Sequence, residues 1–205
     1  MKIAFRALSI AVLVLGAAVF ARPAFALALG EAPPKSDVGM KNVDGKDLTI
    51  ADVKGSQGTL VLFTCNHCPW VKAWEDRMVK IAADAKKRGI GVIAINPNDP
   101  QGYPEDSYDN MQKRAKDKHY GFPYVVDATS DVARAFGATH TPEAFLFDAE
   151  GKLVYHGAID DNARQPKQVK SRFLADAVGA VAAGKPVALS ETKSLGCSIK
   201  FRGEK

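Results

Sequence analysis

The sequence predicts an α/β protein built on a central mixed sheet flanked by helices. Short apolar runs bounded by turn residues alternate with amphipathic helical patterns through the middle of the chain. Two further runs, "AFLFD" and "LVYH", then follow one another directly, joined through Glu150-Gly151, and a last helical pattern closes the series. Alternation demands parallel strands with crossover helices, and the adjacent pair adds antiparallel strands to the same sheet. At 205 residues and 46% hydrophobic, the chain has enough apolar material for one well-filled core.

The first residues, "MKIAFRALSIAVLVLGAAVFARPAFALA", combine a basic start at Lys2 and Arg6, an apolar run from Ala7 to Phe20, and small residues before Ala26 and Ala28. This is the pattern of a secretory signal peptide, 1–26, cut after Ala26 or Ala28; the apolar run is short for a membrane span of about 20 residues, so no stable membrane insertion is expected after cleavage. Residues 27–37, with Pro33 and Pro34, form a linker, and 38–186 form the folded domain. "MKNVDGKDLTI" is an N-terminal β-hairpin extension around Asp44-Gly45, a dipeptide suited to a tight turn.

"TLVLFT" follows as a buried strand. Val71, Trp74, Met78 and Ile81 recur at helical spacing, with Lys86, Lys87 and Arg88 before Gly89 as the stop. "GVIAIN" is a second buried strand, "PNDPQGYPEDS" a polar excursion, and Tyr108, Met111 and Ala115 mark a helix. "PYVVD" is a strand, Val132 and Phe136 one side of a short helix, and Val169, Phe173, Ala177 and Val181 line the last helix before Gly184 and Pro186. The tail, 187–205, shows no period.

Charge excludes one class of partner. Lys2, Arg6 and Arg22 leave with the leader, and taking these three from 28 basic residues leaves 25 against 23 acids, so the mature chain is nearly neutral and has no basic cluster for nucleic acid. An exported chain is periplasmic or secreted, where disulfides form and persist.

The chemistry concentrates in "LFTCNHCPWVK". A strand that delivers Cys65 to the first turn of a helix brings its sulfur to unpaired backbone N–H groups at the positive end of the helix dipole, which favours the nucleophilic thiolate. Cys68 lies one turn further along, within disulfide reach, and Pro69 is tolerated where its missing N–H is not needed. His67 adds a donor or a positive charge beside the pair and is expected to lower the Cys65 pKa further. Trp74 belongs to the apolar stripe, whereas Trp70 stands at the rim, where a partner could touch it. "HTPEAFLFD" sets Thr141-Pro142 immediately before a strand; a trans bond is the default there, cis being about 5% of X–Pro bonds.

On these residues the chain resembles the thioredoxin-like superfamily, whose members carry Cys-x-x-Cys at the start of the first helix and a cis-proline facing it. "AINPND", "YPEDSYDNM", "FPYVVD", "TPEAFLFDAEGKLVYHGAIDD" and "ETKSLGCSIKF" are similar, beyond that, to the peroxiredoxin-like branch of the alkyl hydroperoxide reductase and thiol-specific antioxidant (redoxin) group, over almost the whole mature chain. The resemblance implies a thiol-disulfide oxidoreductase that needs no cofactor beyond its own redox-active disulfide. Cys65 would attack, Cys68 would resolve, His67 would tune the potential, and cis-Pro142 with Thr141 would hold a partner chain. The partners implied are protein thiols or disulfides and a redox partner protein.

Two other activities stay open. Peroxide reduction is invited by the family, but its Pro-x-x-x-Thr-x-x-Cys motif is absent: Gly58 and Leu62 stand in the register of Cys65, Val61 and Cys65 in that of Cys68. Copper or zinc binding would use Cys65, Cys68 and His140. The acid that thioredoxins carry six residues before the first cysteine is replaced by Thr59, leaving Glu75 and Glu143 as proton-transfer candidates whose default is a solvated surface charge. His119 and His156 are expected to be structural, and Cys197 to be either a resolving thiol or a buried spectator.

Overall fold

The computed structural model describes residues 27–203; the leader lies outside the described residues. The chain runs through β1 (Met40–Asn42), β2 (Asp47–Leu48), β3 (Gly58–Phe63), α1 (Pro69–Lys87), β4 (Ile90–Asn96), α2 (Tyr108–Asp117), β5 (Tyr124–Val126), α3 (Asp131–Phe136), β6 (His140–Thr141), β7 (Glu143–Phe147), β8 (Leu153–Gly157), α4 (Phe173–Ala182) and β9 (Cys197–Ser198). Seven strands form one sheet in the order β2-β1-β5-β4-β3-β7-β8. β3, β4 and β5 run parallel, while β7, β8, β1 and β2 join antiparallel, giving the mixed sheet that the alternating and then consecutive apolar runs require. No helix among the described residues is long and apolar enough to cross a membrane.

The period of two in β3 divides the core. Leu60 and Leu62 face Val71, Trp74 and Met78 of α1, together with Met111 of α2 and Leu174 and Val178 of α4. Val61 and Phe63 face the opposite way onto Val132 and Phe136 of α3, Phe145 and Phe147 of β7, and Met40 and Ile50 from the N-terminal extension. Phe63, Phe136 and Phe145 meet edge to face at centroid distances of 5.2 to 5.7 Å. Both faces of β3 are therefore sealed, and the loop leaving its end at Thr64 is held to one place.

Helix α1 begins at the expected proline and ends with Lys86 and Lys87 in its last turn, before Gly89 at φ +79°. The last helix is shorter than its apolar spacing predicts: Val169 follows a 3-10 turn at Pro166–Gln168, and the helix starts only at Phe173.

The tail, which has no sequence period, is held throughout by single backbone contacts. His156 exchanges hydrogen bonds with Ser190 and Thr192, Ile199 donates to the Thr139 carbonyl, and Lys200 accepts from Asp99. β9 pairs antiparallel with β6, setting Cys197 opposite Thr141, and Phe201 bridges to Asn98. A segment that borrows its ladder from loops needs no apolar alternation, which is why no periodicity marks it.

Candidate active site

β3 and α1 position the cysteine pair, but not in the register read from the sequence. Cys68, with extended backbone at φ −62° and ψ 125°, is the N-cap of α1, and Pro69 is its first residue. Cys65 sits three residues earlier on the loop that leaves β3. The helix N-terminus therefore lies beside Cys68, and the nearby backbone N–H groups of Val71 and Cys197 favour its charged form.

Both thiols are buried, with Cys65 1% and Cys68 0% exposed. Each reaches Thr141, whose peptide bond to Pro142 is cis. Cys65 Sγ is 3.1 Å from Thr141 Oγ1, and the Cys68 thiol lies 3.2 Å from the Thr141 carbonyl oxygen. The loop that carries Thr141 is pinned by buried Glu143, which accepts from the N–H groups of Thr139 and His140, from the Ser194 hydroxyl, and from His156 Nε2 at 2.6 Å.

The two sulfurs are pushed in opposite directions. Cys65 is pushed up, first by the neighbouring Cys68 sulfur, then by burial and by the nearby carboxylate of Asp106. Cys68 is lowered to about 5, first by the Cys65 donor, then by the Cys197 thiol and the N–H groups of Val71 and Cys197, against the cost of burial. Proximity to the Thr141 carbonyl favours a protonated Cys68 but is outnumbered by these donors. The sequence predicts the helix start at Cys65; its N-cap is Cys68 instead.

Asp106, which the sequence reading missed inside "YPEDS", is the carboxylate of the site. It is 1% exposed and fully occupied: Oδ1 accepts from the backbone N–H groups of Asn66 and His67, and Oδ2 from Asn98 Nδ2 and the His67 ring. Its short 3-10 turn at Pro104–Asp106 interrupts a polar loop, and only the Asn-rich stretches that meet it, Asn66 and Asn98, hinted at a buried acceptor. His67 is therefore tied to Asp106 at 2.6 Å and stacked on Tyr103, with one ring nitrogen within 4.8 Å of the Cys65 sulfur. The carboxylate that orients the ring raises the Cys65 pKa.

The remaining candidates sort by contact. Trp70 is half-buried at the rim, with its ring against Arg164 and its backbone N–H near the sulfur of Cys197. Trp74 is core, its indole N–H donating to Asp160. Glu75 is not a surface charge: 1% exposed, it accepts two hydrogen bonds from Arg114 and one from Tyr120. Glu143 is likewise buried rather than solvated. Among the described residues, the donor atoms close enough to share a metal ion are those of Cys65, His67 and Asp106, not the expected Cys65, Cys68 and His140. His140 pairs in β6 and bonds Thr139 Oγ1 instead. Cys197, whose place the sequence could not give, lies against Cys68.

Comparison with known proteins agrees with this architecture. A crystal structure of a hypothetical protein from Sinorhizobium meliloti 1021 is 38% identical, with TM-score 0.80, covering 87% of this chain and 97% of the other. The thioredoxin domain of a thiol-disulfide oxidoreductase from Bacteroides vulgatus shares the thioredoxin-like fold at 22% identity and TM-score 0.52, covering 64% of this chain and 89% of that one. Thiol-disulfide oxidoreductase ResA of Halalkalibacterium halodurans is 25% identical over 115 residues, 56% of this chain, and the chain spans 61% of that relative's length. The model of the AhpC/TSA family matches residues 30–156, which takes in the cysteine pair, Asp106 and cis-Pro142, and the chain belongs to that family.

Proposed function

We propose that the protein is an exported thiol-disulfide oxidoreductase, cycling a Cys65–Cys68 disulfide against protein thiols or disulfides. The observation that carries this reading is the pair of sulfurs converging on Thr141, beside cis-Pro142, at the N-terminus of α1. The activity named for the ResA relative points the same way.

In this reading Cys68 is the attacking thiolate, because the first turn of α1 stabilises its negative charge. It displaces one sulfur of a partner disulfide. Cys65 then attacks Cys68 and releases the second partner thiol, and His67, oriented by Asp106, takes the Cys65 proton. Thr141 and cis-Pro142 line the pair, and the family's peroxide motif remains absent, so peroxide reduction has no constellation of its own to rest on.

The test is a titration of the purified protein in glutathione buffers, followed by tryptophan fluorescence. The expected result is a reversible two-electron transition that Cys68→Ser abolishes and that peptide mapping of the oxidised protein assigns to Cys65–Cys68. A midpoint near about −120 mV makes the protein a disulfide donor, and one near about −270 mV a reductant. Absence of any reversible transition refutes the reading.

A further inference from the structure

The three cysteines form one cluster, and only Cys197 is open to solvent: it is half-buried, whereas Cys65 and Cys68 are sealed. Cys197 stands opposite Thr141, the residue that both buried sulfurs reach, and packs against the cluster that holds Cys65 and Cys68. Backbone N–H groups of the first turn of α1 lie near both, that of Val71 toward Cys68 and that of Trp70 toward Cys197. Both sulfurs thus have a backbone seat for negative charge.

The fit of this segment is close. A Cβ on Gly196 would stand 2.3 Å from the Thr141 carbonyl oxygen, so only glycine lets β9 lie against the residue that both active-site sulfurs touch. Behind it, Lys200 N–H donates to Asn98 Oδ1, and Asn98 in turn donates to Asp106. One end of β9 is tied to the cis-proline loop and the other to the carboxylate network, and Cys197 is placed between them.

We infer that Cys197 is a third redox cysteine, carrying exchange between the buried pair and the partner at the surface. This rests on the proposed exchange at Cys65–Cys68. Cys197 passes its proton to the neighbouring Cys68 sulfur and attacks a partner disulfide as thiolate, forming a partner–Cys197 mixed disulfide and releasing one partner thiolate, which takes that proton from Cys68. Cys68 thiolate attacks the Cys197 sulfur, so the mixed disulfide breaks, Cys68–Cys197 forms and the second partner thiolate leaves. Cys65 then attacks Cys68, forming Cys65–Cys68 and returning Cys197 as thiolate. The partner disulfide gains two electrons and the Cys65–Cys68 pair loses two; the protons of Cys65 and Cys197 end on the partner thiols, and that of Cys197 is restored from water. The same bonds run in reverse when partner thiols are oxidised. The Cys197 thiol is pushed up to about 11 by burial and then by Cys68. The second of these is absent once Cys68 is in a disulfide, so Cys197 ionises more readily when the pair is oxidised.

The test uses Cys65→Ser and Cys197→Ser proteins oxidised with glutathione disulfide and mapped by mass spectrometry of unreduced peptides. Cys65→Ser is expected to hold a Cys68–Cys197 disulfide and Cys197→Ser a Cys65–Cys68 disulfide. Oxidised Cys197→Ser is expected to react with reduced, unfolded ribonuclease at least tenfold more slowly than the unaltered protein. Glutathione left on Cys68 of Cys65→Ser with no link to Cys197, or a Cys197→Ser rate within twofold, overturns the relay alone. Absence of Cys65–Cys68 in oxidised Cys197→Ser overturns the exchange reading and the relay with it.

Discussion

The placement of the thiolate on Cys68 has a direct pH signature. At a pKa of about 5, Cys68 is almost fully ionised at neutral pH. An ordinary thiol, near 8.5, is only a few per cent ionised there. The sign for stability follows from the depressed value. Between about 5 and the unfolded value, the native reduced protein binds fewer protons than the unfolded chain, so stability rises with pH across that window and is lost as pH falls through about 5. Cys65 and Cys197, both raised, stay protonated in either state over the same range and contribute no opposing slope. Two pH units of that slope are worth on the order of 2 kcal/mol. The assay is thiolate absorbance at 240 nm of the reduced protein, with urea unfolding at pH 5 and 7 beside it. One thiolate equivalent is expected at pH 7, vanishing through about pH 5, and absent from Cys68→Ser. Absorbance that rises only above pH 8, or a step that survives Cys68→Ser and disappears in Cys65→Ser, refutes the assignment.

Three further changes probe the surroundings. Asp106→Asn removes a charge within 4.8 Å of the Cys65 and His67 donor atoms; at an effective dielectric of about 20 this is worth roughly 3 kcal/mol before relaxation. Iodoacetamide labelling of Cys65 at pH 8 should then quicken about tenfold, and labelling no faster than in the parent contradicts the electrostatic role. Gly196→Ala forces β9 off Thr141, so Cys68 labelling at pH 7 should rise at least tenfold; unchanged labelling would show that β9 does not guard the sulfur. Glu143→Gln leaves His156 without its carboxylate inside a buried cluster, at a cost of about 2–4 kcal/mol in denaturant unfolding at pH 7. Because hydrogen bonds from His156, His140 and Thr139 hold Glu143 below the usual carboxylate range against burial, the native advantage is present above about pH 4.5 and shrinks as pH falls below it. A loss that is the same at pH 3 and pH 7 would refute the pairing.

The sheet was legible because its strands are buried on both faces and its helices on one, and burial writes itself as apolar runs and 3.6-residue spacing. "TLVLFT", "GVIAIN" and the stripe Val71, Trp74, Met78 needed no tertiary knowledge. The cysteine pair and Thr141-Pro142 were legible for a different reason: their chemistry needs fixed residue types at a fixed spacing. The cis state of that proline came from resemblance, not spacing. Asp106 and Cys197 were hidden because each reaches the site from a segment whose regularity is borrowed. Asp106 arrives on a single 3-10 turn and is recognised only by what donates to it, from Asn66 and Asn98. Cys197 arrives on a two-residue strand whose partner lies more than fifty residues away in sequence. The helix start expected at Cys65 lies one turn later, with Pro69 as first helical residue and Cys68 as N-cap, because the loop leaving β3 runs on past Cys65.

That one-turn shift decides how the pair can work. Were Cys65 at the helix end and also beside Asp106, the dipole and the carboxylate would oppose one another at the same sulfur. With Cys68 as N-cap the two influences are separated: the donors of α1 act on Cys68, and the carboxylate acts on Cys65. A reduced pair then carries one charge, at Cys68, and keeps one proton, at Cys65. Attack and resolution are thereby assigned before any partner arrives. When Cys65 resolves, its proton must go somewhere, and His67, with one nitrogen on Asp106 and the ring beside the sulfur, is the group in reach. A peroxide site asks for something else, a thiolate in a threonine- and proline-shaped pocket. Here the sulfur nearer the carboxylate stays protonated, the other lies under β9, and Leu62 and Gly58 stand in the register where threonine and proline would be required. The same features that disfavour a small oxidant favour exchange with another thiol, because a protonated resolving sulfur and an ionised attacking one are the two states that a single disulfide exchange consumes.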